Sequence, residues 1–362
     1  MRNKQFMTPR FISILLTILL TCSVGTFCFQ RAFLLSAHAA PSSESVVLVH
    51  GFNGGDGFSG STTHGNTKGD CNLYWGDAKS FLSSRGSSDV RTVQYYQDEG
   101  NCNQNGTEHT YSANLHDPLY ANHCKDYHAG SEGSNNESLF HISCIFAWYL
   151  YYNFGQRSQN VALIGHSMGG LIIRETLYQV QNRATLGAGN TFPPSIGHAT
   201  DAITIETPHD GIAPVGLFGC GGCTQMSEMA NPGLMIEELN LNAQNPQTPG
   251  GTVWTLIGST CDALVPAYQA IDMQGANHAI VYTNVGNNNG CYDHGGAIHA
   301  TSAASDTAAY YCNISESDIQ NYNAECGTNY SYTTDADGRH FSFSQSFPRG
   351  LAELGAVIFS AA

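Results

Sequence analysis

The stretch VALIGHSMGGLIIR, residues 161–174, decides how this chain is interpreted. An apolar run typical of a strand stops at a pentapeptide that has glycine at both ends and serine in the middle, and an amphipathic segment follows. The serine, Ser167, allows two interpretations. It can cap the helix that follows, or it can occupy a strained turn that exposes its hydroxyl between strand and helix. The rest of the chain distinguishes the two.

Short apolar runs alternate with segments of helical length along the chain. Strands are predicted at 45–49, 90–95, 161–164, 202–205, 252–257 and 279–282. Helices are predicted at 74–84, 138–154, 168–180, 234–241 and 350–360. This alternation indicates an α/β fold with a mostly parallel sheet of about six strands and helices on both faces. The polar segment 98–135 is predicted to be a long loop pinned by a disulfide.

Residues 1–39 have the order of a secretory signal peptide: basic residues, an apolar run, and Ala37-His38-Ala39 before the cleavage point. An uncleaved anchor and a lipoprotein lipidated at Cys22 are the alternatives, and a threonine before Cys22 argues against the second. Residues 40–362 then form a single domain with disulfide-pinned loop insertions. No later run is apolar enough to cross a bilayer, so we expect a secreted protein without stable membrane insertion.

The charge of the exported part limits its partners. Residues 40–362 contain 10 basic and 29 acidic residues, a formal net charge of −19. Such a charge argues against nucleic acid and anionic membrane surfaces as partners. The sequence does not indicate the oligomeric state.

Ten cysteines follow the leader, and an even number in an exported chain indicates disulfides. Zinc is the alternative, suggested by Cys220-x-x-Cys223 and by a second group. That group consists of His116, His123, Cys124 and His128. Neither group has a second pair at the spacing of a zinc finger, so no metal and no other cofactor is predicted.

Two strand ends carry the parts of an acyl-transfer site. Ser167 follows one strand, and the amide of Met168 opens the next helix, where it can stabilise a developing oxyanion. His50-Gly51 follows another strand in an open turn, and the amide of Phe52 can supply the second donor. With both parts present, we interpret Ser167 as a nucleophile.

The acid and the base are expected after the serine, in that order. Asp262 follows the strand at 252–257 and is the predicted acid. Asp210 lies too early, and Asp272 has no strand directly before it.

Four histidines follow the predicted acid: His278, His294, His299 and His340. His294 lies in a loop after the last predicted strand, where a base can reach the serine. His278 precedes that strand, at its wrong end. His299 is predicted within a helix and is the main competitor of His294.

Five motifs together resemble secreted bacterial α/β-hydrolases of the lipase and esterase type. They are GHSMGGLIIR, VHGF, TPHDG, CDALVP and YDHGG, spread from about Val46 to Gly296. The resemblance implies an α/β-hydrolase fold and a carboxylic-ester hydrolase that acts on ester or lipid substrates. Ser167, Asp262 and His294 would be its triad, with Phe52 and Met168 as oxyanion donors. The first strand comes too soon after the leader for the two extra strands of larger relatives, and the tail at 301–349 has no assigned role.

Several features stay open at this stage. Leu217, Phe218, Met226 and Met229 can form an apolar lid or fill core space. Cys261 and Cys291 each adjoin a loop of the predicted triad, and we expect them to pair. An acyltransferase and a catalytically silent, hydrolase-like binding protein are the rival functions.

Overall fold

A sheet of seven strands is the framework of the described chain. The computed structural model describes residues 44–52, 69–84, 87–97, 99–102, 111–128, 130–187, 191–212, 222–242, 245–282, 292–299, 308–312, 332–334 and 341–343. All of these residues belong to one compact unit, Pro41–Ala361. The predicted signal peptide and the helix predicted at 350–360 lie outside the described residues.

The strands of the main sheet are β1 (Ser45–Val49), β2 (Val90–Thr92), β3 (Asn160–His166), β4 (His198–Ile205), β5 (Val253–Ser259), β6 (His278–Tyr282) and β7 (Ala308–Cys312). Their spatial order is β2-β1-β3-β4-β5-β6-β7. The first six are parallel, which confirms the predicted sheet, and β7 runs antiparallel to β6. Strands β8 (Tyr332–Thr334) and β9 (Phe341–Phe343) form a separate antiparallel pair.

The helices within the described residues are α1 (Cys71–Ser84), α2 (Pro118–Cys124), α3 (Leu139–Asn153), α4 (Met168–Asn182), α5 (Thr224–Met229), α6 (Leu234–Asn242) and α7 (Ala267–Ala270). Short 3₁₀ helices span Gly155–Arg157 and Ala297–His299. None of the described helices is long and apolar enough to cross a membrane.

The strands are buried on both faces, and their side chains alternate between two cores. In β1, Val47 and Val49 pack into the core that includes α3 and α4, whereas Val46 and Leu48 pack into the core that includes α1. Successive side chains of a strand point to opposite faces, so a continuous apolar run can fill both cores. This arrangement confirms helices on both faces of the sheet.

The strand order places a crevice at the carboxyl ends of β1 and β3. The chain passes from β1 to β2 on one side and then to β3 on the other, so the direction of winding reverses between these two adjacent strands. Val49 pairs with Gly165 across them, and both strands therefore end at the same level. Ligands of open α/β sheets bind at such a switch point.

Some predicted boundaries differ from the structure. Strand β4 begins at His198 rather than at 202. Its first residues are mostly polar and partly exposed, so no apolar run marks them in the sequence. The loop predicted at 98–135 contains α2, which Asp117 caps by accepting the amide of Leu119 and which begins with Pro118. The tail at 301–349 contributes β7 to the edge of the sheet.

Two disulfides pin the insertion between β1 and β3, as predicted: Cys71–Cys102 and Cys124–Cys144. Cys223 and Cys261 are also disulfide-bonded, and Cys291 lies outside the described residues. The pairing of Cys261 with Cys291 therefore stays a prediction. The sulfurs of Cys124 and Cys223, one in each group considered for zinc, are taken up by disulfides.

Candidate active site

Ser167 stands in a strained turn between β3 and α4. Its backbone angles are φ 54° and ψ −128°, a region that residues with side chains rarely adopt. The turn is fixed by hydrogen bonds: the amide of Ser167 donates to the carbonyl of Ile205 over 2.8 Å, and the amide of Gly170 donates to the carbonyl of Ser167. The side chain of Ser167 makes no capping bond to α4. Ser167 thus occupies the position before the helix, but its hydroxyl does not cap α4.

The turn requires glycine because backbone from another strand passes close to it. A Cβ on Gly169 would lie 2.1 Å from the carbonyl oxygen of Val49 and 2.4 Å from that of His50. A Cβ on Gly51 would lie 2.8 Å from the Cβ of Ser167. The end of β1 and the serine turn are thus in direct backbone contact, which brings the segment before Phe52 to the serine.

The structure brings Ser167, His294 and Asp262 together from three separate segments. His294 Nε2 lies 2.8 Å from Ser167 Oγ, and His294 Nδ1 lies 2.8 Å from Asp262 Oδ2. Because a carboxylate only accepts, Nδ1 carries the proton, and Nε2 is left to accept the serine hydroxyl. Asp262 and His294 are both buried. This is the geometry of a nucleophile, a base and an orienting acid.

Backbone bonds hold the acid and the histidine loop in place. The other oxygen of Asp262, Oδ1, accepts the amides of Leu264 at 2.8 Å and Val265 at 3.0 Å. Ser259, the last residue of β5, donates its hydroxyl to the carbonyl of Tyr292 and accepts the amide of Tyr292. The loop that carries His294 is therefore tied to the strand that precedes Asp262.

The two predicted oxyanion donors adjoin this geometry. Met168 is the first residue of α4, and the first amides of a helix have no carbonyl partner within the helix. Phe52 follows Gly51 and packs partly buried against the core. Their role as oxyanion donors stays a prediction.

The competing histidines lie elsewhere. His299 Nδ1 pairs with Asp77 Oδ2 at 3.1 Å, with both side chains about half exposed. His278 begins β6, at the end of the sheet opposite to Ser167, as predicted. His340 lies outside the described residues.

The other residues considered from the sequence also have different places. Asp210 accepts the side-chain amide of Asn231. Met229 belongs to the core and Met226 packs against it, so these two fill core space. Leu217 and Phe218 lie outside the described residues.

Glu206 is a site residue that sequence reasoning missed. It follows β4 directly, is fully buried, and has a positive φ of 49°. Its Oε2 lies 3.4 Å from His166 Nε2 and 4.0 Å from His294 Nδ1. Burial raises the pKa of Glu206 well above its usual range, and the charges of Asp262 and Asp293 raise this pKa further. Burial therefore favours the protonated form of Glu206 beside the histidine, and the signal that could have revealed this residue is its place directly after a strand.

Glu206, His166 and His294 also form the one group of possible metal ligands among the residues that the structure describes, with ligand atoms within 4.8 Å of one another. The nitrogen that each histidine offers already has a protein partner: Asp262 for His294 Nδ1 and the carbonyl of His294 for His166 Nε2.

His50 is held beneath the turn after β1. Its Nδ1–H donates to the carbonyl of Gly51, and its Nε2 lies 2.7 Å from Glu99 Oε1. The ring of Tyr95 stacks on that of His50 at 4.0 Å, and its hydroxyl donates to the carbonyl of His50. Glu99 in turn accepts the amides of Tyr95 and Tyr96. Both side chains of the pair are buried, so the turn that precedes Phe52 has a fixed support.

Two features define the α/β-hydrolase fold: the order of the strands in the sheet, and the unit in which β3 leads through the turn at Ser167 into α4. No protein-family model matches the chain, and no curated protein matches it.

Solved hydrolase structures show distant similarity to the chain. The mature form of the Bacillus licheniformis lipase BlEst2 is 13% identical, with a TM-score of 0.35 over 63% of this chain and 70% of that chain. The esterase domain of a Rhodothermus marinus protein is 14% identical, with a TM-score of 0.35 over 73% and 83%. The Legionella pneumophila phospholipase PlaB is 15% identical, with a TM-score of 0.34 over 65% of this chain. The match spans only 42% of that phospholipase.

Proposed function

We propose that this protein is a secreted serine hydrolase that cleaves carboxylic esters. The observation that carries the proposal is the continuous hydrogen-bond chain from Ser167 Oγ through His294 to Asp262, with both bonds at 2.8 Å. A serine that only closes a turn needs neither partner. A serine that attacks a carbonyl needs a base within hydrogen-bond distance and a group that orients the base.

The proposed reaction has two acyl-transfer steps. His294 Nε2 takes the hydroxyl proton of Ser167 as Oγ attacks the ester carbonyl, and the amides of Phe52 and Met168 stabilise the oxyanion. The imidazolium returns the proton to the leaving alcohol, and the acyl group stays on Oγ. Water then attacks the carbonyl of the acyl-enzyme as His294 Nε2 accepts a proton from it, and the imidazolium returns that proton to Ser167 Oγ as the acid product leaves. Asp262 keeps the Nδ1–H tautomer and stabilises the imidazolium in both steps.

Export is supported by the cysteines and by the leader. Two disulfides lie within the described residues, and two further cysteines are disulfide-bonded. Disulfides persist in oxidising compartments, and residues 1–39 have the pattern of a signal peptide. We therefore place the reaction outside the cell, on an ester or lipid substrate.

A kinetic comparison tests the proposal. The exported protein, its Ser167→Ala variant and a Ser84→Ala control are assayed on p-nitrophenyl esters from acetate to palmitate. The hydroxyl of Ser84 donates to the carbonyl of Phe81 on α1. We expect Ser167→Ala to lower kcat by about 10⁶-fold and the control to retain wild-type activity. Full activity in Ser167→Ala would refute the proposal.

The same assay separates the rival functions. An acyltransferase would transfer the acyl group to an added alcohol in preference to water, which product analysis detects as a new ester. A silent binding protein would neither turn over any ester in the series nor react with a fluorophosphonate. We expect the free acid as the main product.

A further inference from the structure

A second hydrogen-bond chain runs behind the serine, from the turn after β1 to the backbone of His294. The amide of Gly51 donates to Tyr74 Oη over 2.8 Å. The hydroxyl of Tyr74 contacts Nδ1 of His166 in a short hydrogen bond. His166 Nε2 lies 2.6 Å from the carbonyl oxygen of His294.

The proton positions in this hydrogen-bond chain follow from the groups at its ends. The carbonyl of His294 can only accept, so His166 Nε2 carries a proton. Burial lowers the pKa of His166 well below its usual range, and the neighbouring His294 lowers it further. His166 is therefore neutral, and its Nδ1 accepts the proton of the Tyr74 hydroxyl. Burial raises the pKa of Tyr74, which keeps that hydroxyl protonated. Each donor thus meets an acceptor.

His166 connects the base to the strand that carries the nucleophile. It is the last residue of β3 and directly precedes Ser167. Its ring is buried, and its centroid lies 5.0 Å from that of His294. Glu206 Oε2, at 3.4 Å, is farther from His166 Nε2 than the carbonyl of His294 is. The principal partner of His166 is therefore the backbone of the base.

Tyr74 connects the same chain to the predicted oxyanion hole. It lies in the first turn of α1, which Cys71 opens and the Cys71–Cys102 disulfide tethers. Its hydroxyl accepts the amide of Gly51, and the next amide along the chain is that of Phe52. One hydroxyl thus contacts both the turn before a predicted oxyanion donor and the histidine that holds the base.

We propose that Tyr74 and His166 are positioning residues that fix the base His294 and the Gly51 turn relative to each other around Ser167. The proposal rests on the proposed function of the site. Neither residue exchanges a proton with substrate. Without these hydrogen bonds, the reacting groups remain, but the base and the oxyanion donors can move independently. A shift of about 1 Å in such groups costs roughly 100-fold in rate.

The Tyr74→Phe variant tests the chain by removing one hydroxyl. Tyr120→Phe is the matched control, because Tyr120 is buried in α2 and its hydroxyl donates to the carbonyl of Ser112. We expect Tyr74→Phe to lower kcat by about 10- to 100-fold, with KM changed by less than about twofold because the substrate-binding surface is intact. Tyr120→Phe should lose thermal stability to a similar degree and keep the wild-type kcat.

Two His166 variants test the other half of the chain. The side-chain amide of His166→Gln can donate to the carbonyl of His294 from near the position of Nε2, whereas His166→Asn is too short. We expect His166→Gln to keep at least about tenfold more of kcat than His166→Asn. The low-field proton signal of His294 Nδ1–H, read by NMR, should be sharp in wild type and His166→Gln and broadened in His166→Asn and Tyr74→Phe.

Wild-type kcat in Tyr74→Phe, or equal losses of kcat in the two tyrosine variants, would overturn the proposal. If Tyr74→Phe does not fold, equal kcat in the two His166 variants would overturn it as well. The Ser167→Ala variant separates failure of the positioning proposal from failure of the proposed function. An inactive Ser167→Ala with fully active Tyr74→Phe refutes the positioning chain alone, whereas an active Ser167→Ala refutes the proposed function.

Discussion

At the scale of single residues, two carboxyl groups lie on the same side of His294 and differ in their hydrogen bonds. Asp262 accepts the Nδ1–H of His294 with one oxygen and two backbone amides with the other. Glu206 lies close to the same nitrogen of His294, and burial together with the negative charge of Asp262 raises its pKa well above the usual range. Two carboxyls close together cannot both ionise easily, so the better-solvated or better-bonded one takes the charge.

Removal of Asp262 should therefore bring Glu206 into use. Without the charge of Asp262, the pKa of Glu206 falls, and its Oε2 can move from 4.0 Å into hydrogen-bond distance of His294 Nδ1. We expect Asp262→Ala to retain at least about tenfold more kcat/KM than Asp262→Ala/Glu206→Gln, which should lose about 10⁴-fold as triads without an acid do. Residual activity of Asp262→Ala should rise with pH as Glu206 ionises, in a pH–rate profile.

Glu206→Gln alone is the control and should have nearly wild-type activity, since Asp262 still orients His294. Equal activities of Asp262→Ala and the double variant would show that Glu206 cannot replace the acid.

The sequence predicted which residues would meet at the site, but not the groups around them. Ser167, Asp262 and His294 follow from strand ends and from chain order, which are visible as patterns. Tyr74 reaches the site only because α1 packs against the sheet with its first turn beside Gly51. Such a contact depends on tertiary packing, and no spacing in the sequence indicates it.

At the scale of elements, apolar periodicity was informative where strands and helices are buried. Helix α3 lies within the predicted range 138–154. The prediction succeeded because twelve of the fifteen helix residues are buried and mostly apolar, and the hydroxyl of Ser138 caps the helix. Helix α2 was missed because it is short and half exposed, and its capping residues look like a loop. Strand β7 lies at the sheet edge, antiparallel to β6, in a tail for which the sequence predicts no role.

The two disulfides should differ in their effect on the site. They close loops with sequence separations of 31 and 20 residues, so each should stabilise the fold by about 3–4 kcal/mol. The Cys71–Cys102 bond also fixes the start of α1 and the segment after Glu99. We expect Cys71→Ser/Cys102→Ser to lower kcat, and Cys124→Ser/Cys144→Ser to lower only the free energy of unfolding. Urea unfolding and assays at a temperature where both variants are folded measure the two quantities.

Equal kcat values in these double variants would show that the start of α1 does not need its tether. A smaller stability loss in one variant would leave the comparison of kcat valid, because the assay is made on folded protein.

At the scale of the whole molecule, burial raises the pKa of two acidic side chains outside the site, Glu175 and Asp201. Burial raises the pKa of Glu175 in α4 to about 8, with the charge of Glu238 adding to the shift, and raises that of Asp201 to about 6. Between the unfolded and native pKa values of these groups, the native state binds more protons than the unfolded chain does. Its stability then falls as pH rises.

Glu175→Gln should reduce this dependence. For Glu175 the window runs from its ordinary pKa of 4.5 up to about 8. As pH rises through this window, the unfolding free energy of the variant should increase relative to that of wild type by up to about 1.4 kcal/mol per pH unit. Urea unfolding from pH 5 to pH 8 measures the difference, with the exposed Glu237→Gln of α6 as a control that should follow wild type. A constant difference between Glu175→Gln and wild type across this range would contradict the assignment.

The identity of the nucleophile is the central claim, and mapping of a fluorophosphonate adduct by mass spectrometry tests it most directly. The account predicts one adduct, on Ser167 Oγ, formed on the wild-type protein, absent from Ser167→Ala and strongly slowed in His294→Ala. An adduct on a different residue, or ester turnover by a protein whose Ser167 stays unlabelled at full inhibition, would contradict it.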